Sequence, residues 1–216
     1  LRDRTLAVGG QVIAVQGIAG EYEDLVVPLH GEHQAHNVAV AVAAVEAFIG
    51  GGQEALEADV VRAALADVRS PGRLEVLRPS PTILVDAAHN PAGTAALVGA
   101  IEEEFAFTQL VGVVGVLADK DAGTMLELLE PVLDEIVVTR SASPRAVPVE
   151  ELAVLAEEIF GEDRVHTAER LDDALQLAVD RAESEAKEGL GAGVLVTGSV
   201  TVVGEARALL VRENRR

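Results

Sequence analysis

The sequence predicts an α/β fold, a doubly wound and mostly parallel sheet with helices on both faces. Residues 82–85 and 194–196 are almost entirely Ile, Leu and Val, as strands buried on both faces are. Strand-like and helix-like stretches alternate after residue 80, which implies parallel strands joined by crossover helices. The predicted strands are residues 82–86, 110–117, 135–139, 164–166 and 193–197. The predicted helices are residues 92–105, 122–133, 148–160, 169–187 and 200–213.

The first 70 residues follow a different pattern. The predicted elements are strands at 11–16 and 24–29 and helices at 36–48 and 54–67. The first helix is rich in small apolar residues, so we expect it to be buried. Ser70, Pro71 and Gly72 then break the chain. We therefore predict two domains, residues 1–70 and 71–216.

The composition excludes several classes of protein. The chain has 216 residues, 36 acidic and 17 basic, for a net charge of −19, which disfavours nucleic-acid binding. No apolar run is long enough to cross a bilayer, and the first residues lack the apolar stretch of a signal peptide. There is no Cys, which removes disulfides and thiolate metal sites. We expect a cytoplasmic protein with no membrane partner.

The excess of acidic over basic residues also suggests a halophilic source. Only Lys120 and Lys187 of the 17 basic residues are lysines, and aromatic residues make up 2% of the chain. A GC-rich genome is the alternative explanation, because its codons also favour Ala, Val, Arg and Gly.

If the halophile hypothesis holds, the melting temperature should rise as KCl is raised from about 0.1 M towards multimolar, because salt screens carboxylate repulsion. A flat melting temperature across that series would favour the codon explanation.

Four polar segments follow predicted strands. Ligands of an open parallel sheet bind outside the carboxyl ends of its strands. The segments are residues 86–91 (Asp-Ala-Ala-His-Asn-Pro), 118–121 (Ala-Asp-Lys-Asp), 139–145 (Thr-Arg-Ser-Ala-Ser-Pro-Arg) and 197–199 (Thr-Gly-Ser). We expect these segments to share one edge of the sheet and to form the functional site.

Two of these segments contain three side chains that have both a functional and a structural interpretation. Asp86 would bind a ribose hydroxyl, or belong to a capping network at the next helix. His89 would face an anion near that helix start, or serve the same network. Ser199 precedes the last helix, where exposed N–H groups suit a carboxylate or phosphate, and simple capping is the alternative.

Lys120 is a candidate for contact with a phosphate or carboxylate, because it is retained at the ligand edge of a lysine-poor chain. Its structural alternative is a salt bridge to Asp119 or Asp121. The other lysine, Lys187, lies in an acidic stretch that we interpret as a solvated helix face.

Two further candidates lie before the predicted sheet. Asn37 could bind an adenine edge through its paired donor and acceptor. Arg73 follows the predicted boundary and could stack on a base or pair with a phosphate, or form a salt bridge at the hinge. The phosphate loop G-x-x-x-x-G-K-[ST], the fingerprint G-x-G-x-x-G and a nucleophile-elbow serine do not occur in the sequence, so we interpret the chain as half of an active site.

Several motifs together resemble the folylpolyglutamate synthase and dihydrofolate synthase branch of the Mur ligase superfamily. Residues 31–37 (Gly-Glu-His-Gln-Ala-His-Asn) are similar to the end of that superfamily's central ATPase domain. Residues 71–75 (Pro-Gly-Arg-Leu-Glu) and 86–91 resemble the start of its Rossmann-like C-terminal ligase domain. The motifs Ala-Asp-Lys-Asp, Pro-Arg-Ala at 144–146 and Thr-Gly-Ser are similar to the folate branch as well. The Ala-His-Asn-Pro form is nearer to folate enzymes than to peptidoglycan ligases, which remain an alternative alongside a non-catalytic binding module.

The resemblance implies an ATP-dependent ligase that adds L-glutamate to dihydropteroate or a folate through an acyl phosphate. It implies that Asn37, Arg73 and Asp86 contact ATP and that His89 and Ser199 bind substrate. We take His89 and Lys120 as the candidate catalytic residues. The resemblance also implies that the phosphate loop and the Mg²⁺ ligands belong to a missing N-terminal ATPase domain. We therefore expect no metal ligand in this chain, which would retain only a remnant of the central domain.

Overall fold

The computed structural model describes residues 1–185 and 191–213, so Lys187 and the end of the predicted helix 169–187 lie outside the described residues. The chain divides into two compact units, Leu1–Pro71 and Gly72–Arg216. None of the helices in the described part of the chain combines the length and the apolar composition that a membrane span needs.

The first unit is a small antiparallel sheet with two helices. Its elements are β1 (Asp3–Ala7), β2 (Gly10–Gln16), β3 (Glu21–Val27), α1 (Glu32–Gly50) and α2 (Ala58–Ala66). The strands lie in the order β1-β2-β3, and β2 and β3 correspond to the two predicted strands. Residues Ile13, Val15, Leu25 and Val38 belong to the core between this sheet and the helices.

Glu46 of α1 fastens the turn between β2 and β3. Its carboxylate is fully buried and accepts hydrogen bonds from the Tyr22 hydroxyl at 2.7 Å, from the Gly20 N–H at 3.0 Å and from the Ile18 N–H. Burial by itself would raise the pKa of Glu46, but these hydrogen bonds to the charged form outweigh it and lower the pKa. The resulting stabilisation is present above the ordinary pKa of the carboxyl and is lost as pH falls through the lowered value.

Helix α1 buries only one of its sides. Ala35, Val38 and Val42 lie in the core, whereas Val40 is 70% and Phe48 91% exposed. The prediction of a buried helix is therefore wrong for this chain. The physical reason is that a three-stranded sheet and one short helix have too little surface to cover both sides of a 19-residue helix.

The second unit contains the predicted α/β sheet. Its elements are β4 (Glu75–Pro79), β5 (Thr82–Val85), α3 (Pro91–Glu104), β6 (Gln109–Val114), α4 (Ala122–Leu129), β7 (Glu135–Val138), α5 (Val149–Phe160), a 3-10 turn (Glu162–Arg164), β8 (Val165–Thr167), α6 (Leu171–Glu185), β9 (Ala192–Thr197) and α7 (Val200–Glu213). The six strands lie in the order β4-β5-β9-β6-β7-β8. Only β4 runs antiparallel to its neighbour.

Side chains from the sheet fill a core on each face, which confirms the doubly wound fold. Leu84 and Leu195 pack with α3, α4 and α5 on one face. Val85, Val113 and Val196 pack with α6 and α7 on the other. Alternate residues of one strand therefore enter opposite cores, as the continuous apolar runs predict.

The predicted strand 110–117 is β6, which ends at Val114, and two further differences from the prediction have a clear physical cause. The edge strand β4 was not predicted, because Arg78 and Pro79 interrupt its apolar pattern and it pairs on one side only. Helix α4 ends at Leu129 rather than at residue 133. The proline at position 131 explains the early end, because its ring and missing N–H oppose a continued helix.

Candidate functional site

The four polar segments lie at one edge of the sheet. Strand β9 pairs in parallel with β5 on one side and with β6 on the other, and β6 pairs in parallel with β7. The carboxyl ends of these four strands therefore point the same way. The segments 86–91, 118–121, 139–145 and 197–199 all follow those ends.

The winding of the sheet reverses at β9. Its two neighbours β5 and β6 lead to α3 and α4 on one face, whereas β9 leads to α7 on the other face. In sheets of this kind, ligands bind in the crevice where neighbouring connections diverge. Gly198 lies at this point with φ +101°, and a Cβ there would come 2.8 Å from the Gly115 carbonyl oxygen. Its N–H donates to the carbonyl of Ala88 at 3.2 Å, which ties the β9 segment to the β5 segment.

Asp86 fastens the turn that precedes β4. Its buried carboxylate accepts a hydrogen bond from the Leu74 N–H and one from the Ala88 N–H, both at 2.8 Å. Leu74 is buried and has a φ of 40°, a strained value for a side chain that branches at Cγ. The Ala87 N–H also donates to the Gly72 carbonyl at 2.8 Å. Asp86 thus holds the turn in which Arg73 lies.

Arg73 is exposed in that turn. Among residues 1–185 and 191–213, no hydrogen bond or ion pair involves its guanidinium group. The salt bridge that was the structural alternative is therefore not found in the part of the chain that the structure describes. The group is free to pair with an anion or to stack on a ring.

His89 and Asn90 have different roles at the start of α3. The Asn90 side chain caps the helix by accepting from the Gly93 N–H at 2.8 Å, so the helix cap is Asn90 rather than Asp86. His89 Nδ1 lies 2.9 Å from the Ala87 carbonyl oxygen. Because a carbonyl oxygen only accepts, Nδ1 carries the hydrogen, and Nε2 of the neutral ring has a free lone pair.

Lys120 forms the ion pair that was its structural alternative. Its Nζ lies 2.8 Å from Asp119 Oδ2, and Arg145 Nη1 lies 3.7 Å from Asp119 Oδ1. The other acidic neighbour, Asp121, accepts from the Thr124 N–H at 3.1 Å and caps α4 instead. Asp119 therefore bridges cations from two different segments of the site.

Ser199 caps α7, and its hydroxyl begins a chain of hydrogen bonds to the 139–145 segment. Ser199 Oγ accepts from the Val202 N–H at 3.1 Å and lies 2.9 Å from Thr201 Oγ1, which donates to Ser141 Oγ at 3.1 Å. Ser199 is only 1% exposed, whereas Thr201 is exposed. Thr201 and Ser141 were not predicted, although a cluster of small hydroxyl residues at a helix start was a usable signal.

Asn37 belongs to the first unit and is exposed on α1. Its side-chain amide donates to Gln34 Oε1 at 3.2 Å, within the same helix. Its carbonyl oxygen is not engaged by that contact, so the amide retains an acceptor for a ligand. Across the described residues of both units, no group of three or more His, Asp or Glu side chains is placed to hold a metal ion.

Comparison with known proteins places these segments in a family. The family described as "Mur ligase, glutamate ligase domain" matches residues 72–200, more than half of the 216-residue chain. The chain belongs to the Mur ligase family. The matched region of this Mur ligase chain includes all four polar segments and the Arg73 turn.

Proteins similar to this Mur ligase chain include folate enzymes. Dihydrofolate synthase/folylpolyglutamate synthase of Mycobacterium tuberculosis is 51% identical over 97% of the chain, which spans 45% of that protein. A solved structure of M. tuberculosis folylpolyglutamate synthase with ADP and AMPPCP gives a TM-score of 0.90 at 52% identity, over 96% of this chain and 47% of that one. Escherichia coli FolC with DHPP and ADP gives 0.74 at 26% identity, over 91% and 43%. The chain thus spans less than half the length of these relatives.

Proposed function

We propose that this chain is the C-terminal part of an ATP-dependent ligase that joins L-glutamate to dihydropteroate or a folate. The observation that carries the proposal is that four polar segments meet at one edge of a sheet whose family match is to a glutamate ligase domain. The M. tuberculosis relative, whose name contains both folate activities, supports the choice of substrates. No specific observation favours the two alternatives, a peptidoglycan-precursor ligase and a non-catalytic binding module.

The proposed reaction needs activation of a carboxylate and then attack by an amine. ATP, bound with Mg²⁺, supplies the phosphoryl group that converts the acceptor carboxylate into an acyl phosphate. The glutamate nitrogen, once it has lost the extra proton of its ammonium form, bonds to the acyl carbon; inorganic phosphate leaves, the nitrogen loses one more proton, and the amide keeps one N–H. Closing the site around these groups would hold them together and exclude water. We propose that the Mg²⁺ ligands lie in the longer protein outside this chain. We also propose that the longer protein is cytoplasmic.

The candidate residues fit these tasks through their observed contacts. Arg73 has an unengaged guanidinium group for a phosphate or an adenine ring, and Asp86 fixes the turn in which Arg73 lies. His89 offers a lone pair on Nε2 that can take a proton from the incoming amine. Lys120 supplies a positive charge at the same edge.

Asn37 and Ser199 complete the proposed set. The exposed amide of Asn37 suits an adenine edge. For Ser199, the capping contact is observed and the substrate contact is the proposal. Because Ser199 is 1% exposed, Thr201 is the hydroxyl at this helix start that a ligand reaches first.

The first unit supports the view that the chain works as part of a longer protein. Helices α1 and α2 form an apolar groove with a cavity of about 280 Å³. Val45, Ile49 and Val60 line it and are 42%, 70% and 60% exposed. An apolar surface of this kind marks an interaction site. We propose that a preceding ATPase segment covers it, and that the first unit is the end of a central ATPase domain.

An acceptor panel tests the proposed function. A longer protein that contains this chain would be incubated with ATP, Mg²⁺, L-glutamate and one of three acceptors: dihydropteroate, tetrahydrofolate or a UDP-linked peptidoglycan precursor. We expect mass spectrometry to detect a glutamate adduct of dihydropteroate or tetrahydrofolate. An adduct formed only on the UDP-linked precursor would replace the folate assignment with the peptidoglycan one.

A further inference from the structure

We propose that Arg207 of α7 is a positioning residue for ATP. Acting through Glu75, it fixes the turn from which the Arg73 guanidinium group extends. The inference rests on the proposed function, since it assigns a residue to the ATP site of that ligase. Arg207 touches no ligand in this role, and its effect reaches ATP only through Arg73.

The turn from Gly72 to Glu75 needs support from other elements. Gly72 has a φ of 73° and Leu74 a φ of 40°, so both neighbours of Arg73 adopt the left-handed region. For Leu74 this conformation is strained, and such a conformation persists only where the surrounding structure holds it. The direction in which the Arg73 side chain leaves the turn therefore depends on the contacts that fix its two neighbours.

Two carboxylates clamp this turn, one on each side of Arg73. Asp86 accepts from the Leu74 N–H at 2.8 Å, and Glu75 Oε2 accepts from the Gly72 N–H at 2.8 Å. Asp86 is buried, so its position is fixed by its surroundings. Glu75 begins the edge strand β4 and its side chain is 24% exposed. The carboxylate of Glu75 therefore needs a further partner to stay in place.

Arg207 is that partner. Its Nε lies 2.9 Å from Glu75 Oε2 and 3.1 Å from Oε1, so it donates to both oxygens. The opposite charges of the two groups strengthen these hydrogen bonds. Glu75 Oε2 thus accepts from Arg207 and from the Gly72 N–H at the same time. The ion pair restricts the Glu75 side chain to a rotamer that reaches the turn, so less conformational entropy is lost in holding it.

Helix α7 also packs against the turn directly. Val203 and Arg207 are four residues apart in α7, so they lie on the same face of the helix. Val203 is buried, and a Cβ added at Gly72 would come 3.1 Å from its Cγ1. Another face of α7 contacts a different segment, because Thr201 donates to Ser141 at 3.1 Å. The face that carries Arg207 is therefore the one that supports the turn.

Arg181 provides a matched control in α6, which packs on the same face of the sheet as α7. Its Nε donates to a strand carboxylate, Glu135 Oε2, at 2.7 Å. The side chain of Arg181 is 37% exposed and that of Arg207 is 41% exposed. Glu135 begins β7, so this ion pair lies at the opposite end of the strand from the polar segments. Removing Arg181 deletes one charge and one ion pair without touching the Arg73 turn.

The test measures steady-state kinetics of the longer ligase and the melting temperature of each variant. Arg207→Ala should raise KM for ATP by about three- to tenfold and leave KM for L-glutamate within about twofold, because only the ATP turn loosens. Arg207→Lys should restore part of the loss, because an ammonium group can still pair with Glu75. Arg181→Ala should lower the melting temperature at least as much, since the Glu135 side chain is only 10% exposed, yet leave KM for ATP within about twofold.

A double variant determines whether Arg207 acts through Arg73. In a protein that already carries Arg73→Ala, the further change Arg207→Ala should alter KM for ATP by less than about twofold, because no guanidinium group is left to position. A further rise of about threefold or more would show that Arg207 acts independently of Arg73, which would overturn the positioning role.

Two other results would also overturn the role of Arg207. One is a KM for ATP that stays within about twofold in Arg207→Ala, and the other is an equal rise in Arg181→Ala, which would indicate a general effect of charge or stability. Failure of the proposed function is distinguishable, because the unsubstituted protein would then ligate glutamate to no acceptor, and both proposals would fail. Ligation by a protein whose KM for ATP is unchanged by Arg207→Ala would remove the positioning role alone.

Discussion

Asp86→Ala should lower the free energy of unfolding of the second unit by about 2–4 kcal/mol, because it leaves two buried N–H groups without an acceptor. Those groups are the amides of Leu74 and Ala88, each 2.8 Å from the carboxylate. The loss also releases Leu74 from its strained backbone conformation, so the Arg73 turn should loosen. Urea unfolding of the 216-residue chain, followed by circular dichroism, measures the change. A loss below about 0.5 kcal/mol would show that the carboxylate does not hold the turn.

Asp86→Asn and Arg73→Ala separate the structural role from ATP binding. Asn keeps one acceptor oxygen, so it should lose about half as much stability as Ala. Within the described residues no hydrogen bond or ion pair involves the Arg73 guanidinium group, and the side chain is exposed, so Arg73→Ala should leave stability unchanged. In the longer enzyme, Arg73→Ala should raise KM for ATP by about tenfold to a hundredfold, as the loss of a charge-assisted contact does. An unchanged KM for ATP in both well-folded variants would remove the support for an ATP site here.

His89→Ala should reduce kcat of the longer enzyme by about 10²–10⁴, the usual contribution of a positioned base. The reason is that Nδ1 is committed to the Ala87 carbonyl, which leaves Nε2 to take the proton of the incoming amine. KM for ATP should change far less than kcat. The measurement is steady-state kinetics with ATP and L-glutamate varied in turn.

Two controls distinguish catalysis from packing at this position. His89 is only partly buried, and Asn90 provides the cap of α3, so His89→Ala should barely change the melting temperature. His89→Gln restores a polar side chain that cannot take a proton, so it should be as slow as Ala. If His89→Gln regains the original kcat, hydrogen bonding rather than proton transfer explains the role of His89.

The sequence predicted the parts of the fold that are buried most. Strands β5 and β9 were found because Ile, Leu and Val fill positions that face both cores. The strands β1 and β4 were missed, since β1 is almost wholly exposed and β4 lies at a sheet edge. Such strands bury too little surface to leave a clear apolar pattern. The one-sided burial of α1 could not be predicted. The composition of a helix does not tell how much of its surface the neighbouring strands and helices cover.

The sequence also located the segments of the candidate site but not the contacts between them. Parallel strands bring their carboxyl ends together, so the four segments could be assigned to one edge of the sheet from the sequence. By contrast, the hydrogen bond from Leu74 to Asp86 joins residues 12 apart, and the one from Thr201 to Ser141 joins residues 60 apart. These depend on the packing of whole elements, which no local motif specifies. The roles proposed for Asn37, Arg73, Asp86, His89, Lys120 and Ser199 remain predictions.

The measurement that tests the central claim most directly is glutamate ligation by this chain alone and by a longer protein that contains it. Both would be assayed with ATP, Mg²⁺, L-glutamate and dihydropteroate, and the amide product would be quantified. We expect product from the longer protein and none from the chain alone above a no-protein control, because the 216 residues contain no phosphate loop. Ligation by the chain alone, or none by the longer protein with dihydropteroate or any folate, would contradict the claim that this chain is half of a folate ligase site.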